Sequence, residues 1–268
     1  MLNLLPEGMV RILSYIKATT SPSFYLKGQV GDGREKALLE YVLQHADERN
    51  PQSVLRVIDK FAQRTWFMNV GDEKGQILDI TVKNRKPGAV LELGAYCGYS
   101  AIRIASQLKE PESMLISLEM NPHNAVIARK MIEFAGLSSK VQVVEGIVST
   151  RIEELRKILQ EMGAQYFDLV FIDHDKRAYL SDMLLLKESG LIGIGTVLVA
   201  DNMKIPGSPA YLKYLKSHAK ELPTVEHKCR LEYLSWLPDK ASNVVVDVLF
   251  MITWLVLWAF WRHLLRCA

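Results

Sequence analysis

Between residues 90 and 217 the chain alternates five times between a short apolar, largely β-branched run and a segment of amphipathic helix length. No other feature constrains the fold as much. Parallel strands buried on both faces read as continuous apolar runs, and each needs a crossover helix to reach the next. The apolar runs at 90–93, 114–118, 141–144, 169–172 and 195–200 are followed by helical patterns at 100–108, 122–135, 150–162, 179–188 and 209–217. The expected class is therefore α/β, a doubly wound and mainly parallel sheet with helices on both faces. A further strand is expected at 224–233. Ahead of the alternation, 34–44 and 51–65 have helical spacing, with Leu38, Leu39, Val42 and Leu43 on one face of the first and Val54, Val57, Ile58 and Phe61 on one face of the second. Asn50 before Pro51 is a helix start signal. Residues 71–86 read as a loop and then a helix.

Of the 268 residues, 49% are hydrophobic, enough for one sizeable domain with extensions. The formal net charge is +3, with Lys and Arg interspersed among Asp and Glu, and this pattern argues against a nucleic-acid groove. The cysteines (Cys97, Cys229 and Cys267) are odd in number and widely spaced, which points to a reducing compartment and away from a disulfide framework or a zinc site. Residues 1–33 read as a leader ending in a glycine-rich loop, and Pro6 and Glu7 interrupt any signal-peptide pattern. The other end differs. Residues 244–261 are apolar except for Asp247, include Trp254, Trp258 and Trp261, and are followed by Arg262, His263 and Arg266. Such a run, at about 1.5 Å per residue, nearly spans a hydrocarbon core of about 30 Å. A membrane helix over 244–268 is expected, following a domain at 34–243 that faces the cytosol. Arg262 and Arg266 favour the cytosolic side of a membrane, which leaves the topology open. Without an anchor the chain is expected to be cytoplasmic.

Chemistry concentrates at the C-terminal ends of the expected strands. VLELGAYCGYSAIRIA at 90–105 runs from a strand through a glycine turn into a helix, with Glu92 just ahead of Gly94 and Gly98. Open α/β sheets hold nucleotide-like ligands at such crossings. This turn has no lysine to hold phosphate, which argues against a nucleoside triphosphate, and the glutamate favours a ligand with cationic or hydroxyl groups. Glu119, Asp173 and Asp201 end the following strands along the same rim. Glu119 suits ribose hydroxyls, or is a solvated strand-end acid. Asp173, Asp201 and Asn202 make an all-oxygen set that suits Mg²⁺; alternatively, Asp201 and Asn202 form a turn before Pro206. Lys176, partly desolvated beside a divalent cation, can act as a base, or is a surface lysine. Glu232, between Leu231 and Tyr233, is an acid among hydrophobic neighbours or an exposed strand residue.

Together with VFIDHDK, LLLKESGLI, GTVLVADN, WFMNVGDEKG, VLQHA and RLEY, this turn closely resembles the catechol O-methyltransferase family over residues 31–233. The resemblance implies a Rossmann-like class I methyltransferase fold with a seven-stranded, mainly parallel sheet. It also implies S-adenosylmethionine as donor, held by Val70, Glu92, Gly94, Tyr96, Ser100, Glu119, Met120, Asp173 and His174, with Glu119 on the ribose. Asp173, Asp201 and Asn202 match magnesium ligands. Lys176 matches the general base, and Glu232 matches the acid that hydrogen-bonds the second hydroxyl. Trp66, Pro206 and Leu231 match walls of the catechol pocket, Met68 lies beside the donor sulfonium, and Lys176 and Asn202 also face the substrate.

The implied activity is methyl transfer to one hydroxyl of a magnesium-chelated catechol. Another vicinal-diol aromatic as acceptor, or a non-catalytic membrane-tethered partner that keeps the fold, are the alternatives. Three departures stand out. Asp175 replaces a tryptophan that lines the family's donor and substrate pockets. Val148 and Ser149 replace a Ser-Gln pair near the adenine. The apolar segment is C-terminal rather than N-terminal, beginning about where the family's last antiparallel strand falls, at 243–248.

Overall fold

Each apolar run between 89 and 200 becomes a strand because its side chains find cover on both faces. In the computed structural model, which describes residues 7–21, 23, 29–227 and 229, the strands are β1 (Ala89–Leu93), β2 (Met114–Glu119), β3 (Val141–Glu145), β4 (Leu169–Ile172) and β5 (Val197–Ala200). Their order is β3-β2-β1-β4-β5, and every neighbouring pair is parallel. The order reverses between β1 and β4, the switch point at which such sheets open a ligand crevice. Among the described residues the sheet thus has five strands rather than seven. The expected strand at 224–233 has no regular structure over 224–227; 230–233 and the stretch at 243–248 lie outside the described residues.

The helices are α1 (Glu7–Thr19), α2 (Arg34–His45), α3 (Pro51–Ala62), α4 (Gly71–Arg85), α5 (Tyr99–Gln107), α6 (Pro122–Phe134), α7 (Val148–Glu161), α8 (Tyr179–Glu188) and α9 (Pro209–Ser217), with a π-helical turn at Met203–Gly207. Alternation along each strand divides the core. Val90, Leu115, Val141, Leu169 and Phe171 pack with Leu38, Val54, Ile58, Leu78, Val82 and Ile102 on one face. Leu91, Leu93, Ile116, Leu118, Val170 and Ile172 pack with Leu155, Leu159, Met183 and Leu186 on the other. Leu38, Leu39 and Val42 are buried as their spacing requires, whereas Leu43, expected on the same face, is exposed; its angular position falls beyond the stripe that α2 turns inward.

The Asn50-Pro51 signal works as read. Asn50 Oδ1 accepts from Ser53 N at 3.1 Å, and Asn121 caps the α6 start at Pro122 in the same way, accepting from His123 N at 2.9 Å. The stretch expected as a leader contains α1, in which buried Arg11 donates to the Ala62 carbonyl and Tyr15 meets Trp66 edge-to-face at 5.3 Å. The loop expected within 71–86 lies ahead of it instead, at 63–70, and α4 begins at Gly71 itself. Arg103 from α5 reaches Asp79 on α4 at 3.1 and 2.6 Å. It can lie there because position 75 has no side chain: a Cβ on Gly75 would come within 2.5 Å of the guanidinium carbon. That contact ties α4 to α5 one residue beyond Lys74.

Candidate active site

The sheet register places the functional residues in one row. Leu93 pairs with Leu118 and with Ile172, and Ile172 pairs with Ala200. The next residues, Gly94, Glu119, Asp173 and Asp201, therefore leave four adjacent strands at one level. Backbone bonds tie them together: Gly94 N to Leu118 O at 2.9 Å, Asp173 N to Leu93 O at 3.0 Å and Asp201 N to Ile172 O at 3.1 Å.

Glu92 is fully buried on the α2–α6 face of the sheet. Its Oε2 accepts from Ser117 on β2, and Ser100 at the start of α5 also favours the ionised carboxyl. Oε1 has no hydrogen-bond partner among the described residues. Burial raises this carboxyl to about 7, against the opposing pull of Ser100 and Ser117. A buried acceptor left open beside a glycine turn is a place for a ligand donor. Gly94 has φ +98, and a Cβ there would meet the Asp173 carbonyl oxygen at 2.6 Å, so the turn and the start of the Asp173 loop touch backbone to backbone.

Glu119 is buried and accepts from Tyr96 N and Asn121 N, both at 2.8 Å. Burial raises its carboxyl while these bonds lower it. Tyr96, itself at positive φ, donates from its hydroxyl to Glu35 at 2.9 Å. Val70 is buried at the α4 start, while Met120 is exposed. His174 bonds Asp182 through Nε2 at 2.9 Å and stacks on Tyr179 at 5.2 Å; its buried Nδ1 has no partner among the described residues. Val148 packs in the core, and Ser149 is exposed. Asp175 points to the surface and pairs with Arg177 at 2.6 Å.

The second half of the row holds two carboxylates and two lysines. Lys176 Nζ donates to Asp173 Oδ1 at 2.7 Å and to the Tyr179 hydroxyl at 2.5 Å. Tyr179 OH in turn donates to the Asp201 carbonyl at 3.1 Å. Burial raises the Asp173 carboxyl, Lys176 opposes this and Asp201 adds to it. Lys74 Nζ lies 2.7 and 2.6 Å from the two carboxylate oxygens of Asp201. Asn202, in a left-handed conformation that opens the π-helical turn, accepts from Lys74 at 3.1 Å through its amide oxygen and donates to Asp201 Oδ2 at 3.3 Å when its amide is turned to satisfy both groups.

Among the described residues no cluster of three His, Cys, Asp or Glu side chains is arranged as a metal site. The expected set is two carboxylates and one amide. Trp66 is held by Ser14, whose Oγ accepts from Trp66 N at 3.0 Å, and by Arg34, which donates to Trp66 O at 2.5 Å. Met68 is half-buried in the same segment. Pro206 falls in the π-helical turn, and Leu231 and Glu232 lie outside the described residues. Lys74, Ser117, Tyr179 and Asp182 carry no role in the sequence reading. Lys74 and Tyr179 lie within motifs or beside residues already singled out, but nothing local indicates their partners.

Comparison with known proteins gives the family and the fold. A family model described as O-methyltransferase matches residues 46–218. The catechol O-methyltransferase of Bos taurus is 45% identical over 192 residues, covering 71% of this chain and 69% of that protein. Catechol O-methyltransferase B of Danio rerio is 48% identical over 201 residues, covering 75% and 74%. Among solved structures, an O-methyltransferase from Bacillus cereus in complex with SAH superposes with a TM-score of 0.50 at 22% identity, covering 68% of this chain and 79% of that one, which shows a shared fold. The chain therefore belongs to the O-methyltransferase family and is a methyltransferase related to the catechol O-methyltransferases.

Proposed function

We propose that the protein transfers a methyl group from S-adenosylmethionine to one hydroxyl of a catechol held with Mg²⁺. The observation that carries this reading is the single rim on which an open buried acceptor, Glu92 Oε1, stands beside the Lys176–Asp173 and Asp201–Asn202 groups. Glu92 Oε1 would receive the donor's ammonium, and Glu119 would receive ribose hydroxyls on lone pairs left after its two backbone bonds. Val70, Gly94, Tyr96, Ser100, Met120, Asp173 and His174 complete the proposed donor site. Asp173, Asp201 and Asn202 fit a magnesium ion by donor chemistry, all oxygen, and Lys74 already places a positive charge on two of them. When bound, such an ion lowers the pKa of a chelated hydroxyl.

Lys176 Nζ, as the neutral amine once it has given its own proton to solvent, then takes the hydroxyl proton. Tyr179, bonded both to Nζ and to the Asp201 backbone, holds the amine in place. Trp66, Met68, Asn202, Pro206, Leu231 and Glu232 would line the acceptor site. The surface pair Asp175–Arg177 stands where the family has a pocket tryptophan, so acceptor selection differs there from the family's.

The full-length protein is expected to methylate a dihydroxybenzoate with adjacent hydroxyls in Mg²⁺, to stop in a chelator, and to leave the isomer with separated hydroxyls untouched. Donor binding without turnover on either acceptor would favour a non-catalytic role. The apolar segment 244–261 supports membrane attachment, although among the described residues no helix is long and apolar enough to cross a membrane. Fractionation of the same preparation beside a chain ending at residue 243 checks this, since recovery of both in the soluble fraction excludes an anchor.

Donor affinity is also expected to depend on pH. Glu92 holds its proton to about pH 7 in the folded protein, above its ordinary 4.5. In the donor-free protein its contribution to stability is therefore full below about 4.5 and lost as pH rises through about 7. A cationic group docking on Oε1 selects the carboxylate, so affinity rises about fivefold from about pH 6 to about pH 7. Calorimetric titration across that range should show the rise with proton release, and Glu92→Gln should abolish both.

A further inference from the structure

Lys74 sits at the start of α4, within the motif that runs on from Trp66 and Met68, yet its ammonium lies 127 residues away in sequence, on Asp201. Both Asp201 oxygens and the Asn202 amide oxygen surround it, and its charge also acts on Asp173. All three oxygens belong to the group that the proposed function assigns to Mg²⁺. The side chain is 16% exposed and Asp201 9%, so the pair is largely withdrawn from water. Lys176 already answers Asp173, which leaves Lys74 as the cation that answers Asp201.

Charge and space exclude simultaneous occupancy. Among the described residues two carboxylates and two ammonium groups balance; a divalent ion added to these four leaves a surplus of two positive charges. Magnesium needs its oxygens at about 2.0–2.1 Å, and Lys74 Nζ stands 2.6 Å from the nearer of the two Asp201 oxygens. The four-carbon stem of lysine is flexible and its ammonium strongly hydrated, so the side chain can leave for solvent at the mouth of the crevice without moving α4.

We propose that Lys74 is a built-in counter-ion that holds Asp201 and Asn202 in place while the protein is metal-free and must swing out for the divalent cation to enter, so that it sets the cation affinity. This rests on the assignment of Asp201 and Asn202 as cation ligands. The tie also spans the crevice, joining the α4 side that carries the proposed donor and acceptor contacts to the end of β5. Cation entry therefore releases that side.

Mn²⁺ binding, read by electron paramagnetic resonance of the free ion without donor or acceptor, tests the proposal. Lys74→Met is expected to tighten Mn²⁺ binding about tenfold or more, since no counter-charge has to be displaced. In the same variant thermal unfolding without metal should occur at lower temperature than in the wild type, because Asp201 keeps a buried charge with no ammonium, and saturating Mn²⁺ should remove the difference. Lys74→Gln, which keeps a hydrogen-bonding group without charge, should shift affinity the same way and serves if the methionine variant does not fold. Unchanged or weaker Mn²⁺ binding in a folded variant overturns the role of Lys74. Asp201→Asn separates the two levels of the argument. If it binds Mn²⁺ as the wild type does, the ligand assignment fails and the counter-ion role with it; if it loses Mn²⁺ while Lys74→Met binds as before, only the counter-ion role fails.

Discussion

Lys176→Met is expected to lower methyl transfer by about 10²–10⁴-fold, the usual worth of a positioned general base, while leaving donor affinity unchanged. The side chain has two roles that must be separated. Its Nζ stands at 2.7 Å from Asp173 and at 2.5 Å from Tyr179 OH, so as an ammonium it balances a buried charge, whereas taking a proton requires the neutral amine. Lys176→Arg separates them. A guanidinium keeps the charge but does not give up its proton in proteins, so the arginine variant should be nearly as slow as the methionine one. Recovery of most of the rate with arginine would show that charge balance at Asp173, and not proton removal, is the contribution of Lys176. Donor titration of all three proteins supplies the control, because the proposed function puts Lys176 in the acceptor half of the rim and Glu92 in the donor half.

The second large effect is expected at Gly94. With φ +98 and a Cβ that would fall 2.6 Å from the Asp173 carbonyl oxygen and 3.2 Å from the His174 Cα, Gly94→Ala combines backbone strain with a collision against main chain. Main chain cannot rotate aside as a side chain can. Strain and overpacking together are expected to cost about 2–4 kcal/mol of stability. The required shift of the Asp173 loop disturbs both halves of the site at once, and donor binding should fall by about 100-fold or more, as sub-ångström placement of such loops decides affinity and rate. Gly190→Ala is the matched control. Gly190 also has positive φ, +69, but nothing lies within 4 Å of its missing Cβ, so it carries only the conformational cost of about 1 kcal/mol. Denaturant unfolding and donor calorimetry on both variants decide the point: equal losses would mean that the contact between Gly94 and Asp173 is not what confines the turn.

The order of elements was legible from local pattern alone. Continuous apolar runs such as 169–172 cannot be half-buried strands, and the period of their intervening segments is that of helices. The observed bounds of β4, α8 and α9 coincide with the expected ones. The acids at strand ends were legible for the same reason: once the strands are parallel, residues that follow them share a rim, and the register confirms that Gly94, Glu119, Asp173 and Asp201 do. Angular detail was less so. Leu43 misses the buried stripe of α2, and the segment at 7–19 joins the domain as a helix although its own sequence reads only as a leader.

Sequence by itself thus determined the class of fold, the glycine turn and the candidate acids, because periodicity and strand ends are properties of neighbours along the chain. Tertiary structure alone decided which cation faces which carboxylate. Lys74 reaches Asp201 across 127 residues from a helix that Arg103, lying over Gly75, ties to α5 through Asp79. The open oxygen of Glu92 likewise appears only once Ser117 from the adjacent strand has taken the other one. Such pairings depend on how helices and strands pack in space, and the spacing of residues along one element carries no record of the charge that packing will bring opposite it.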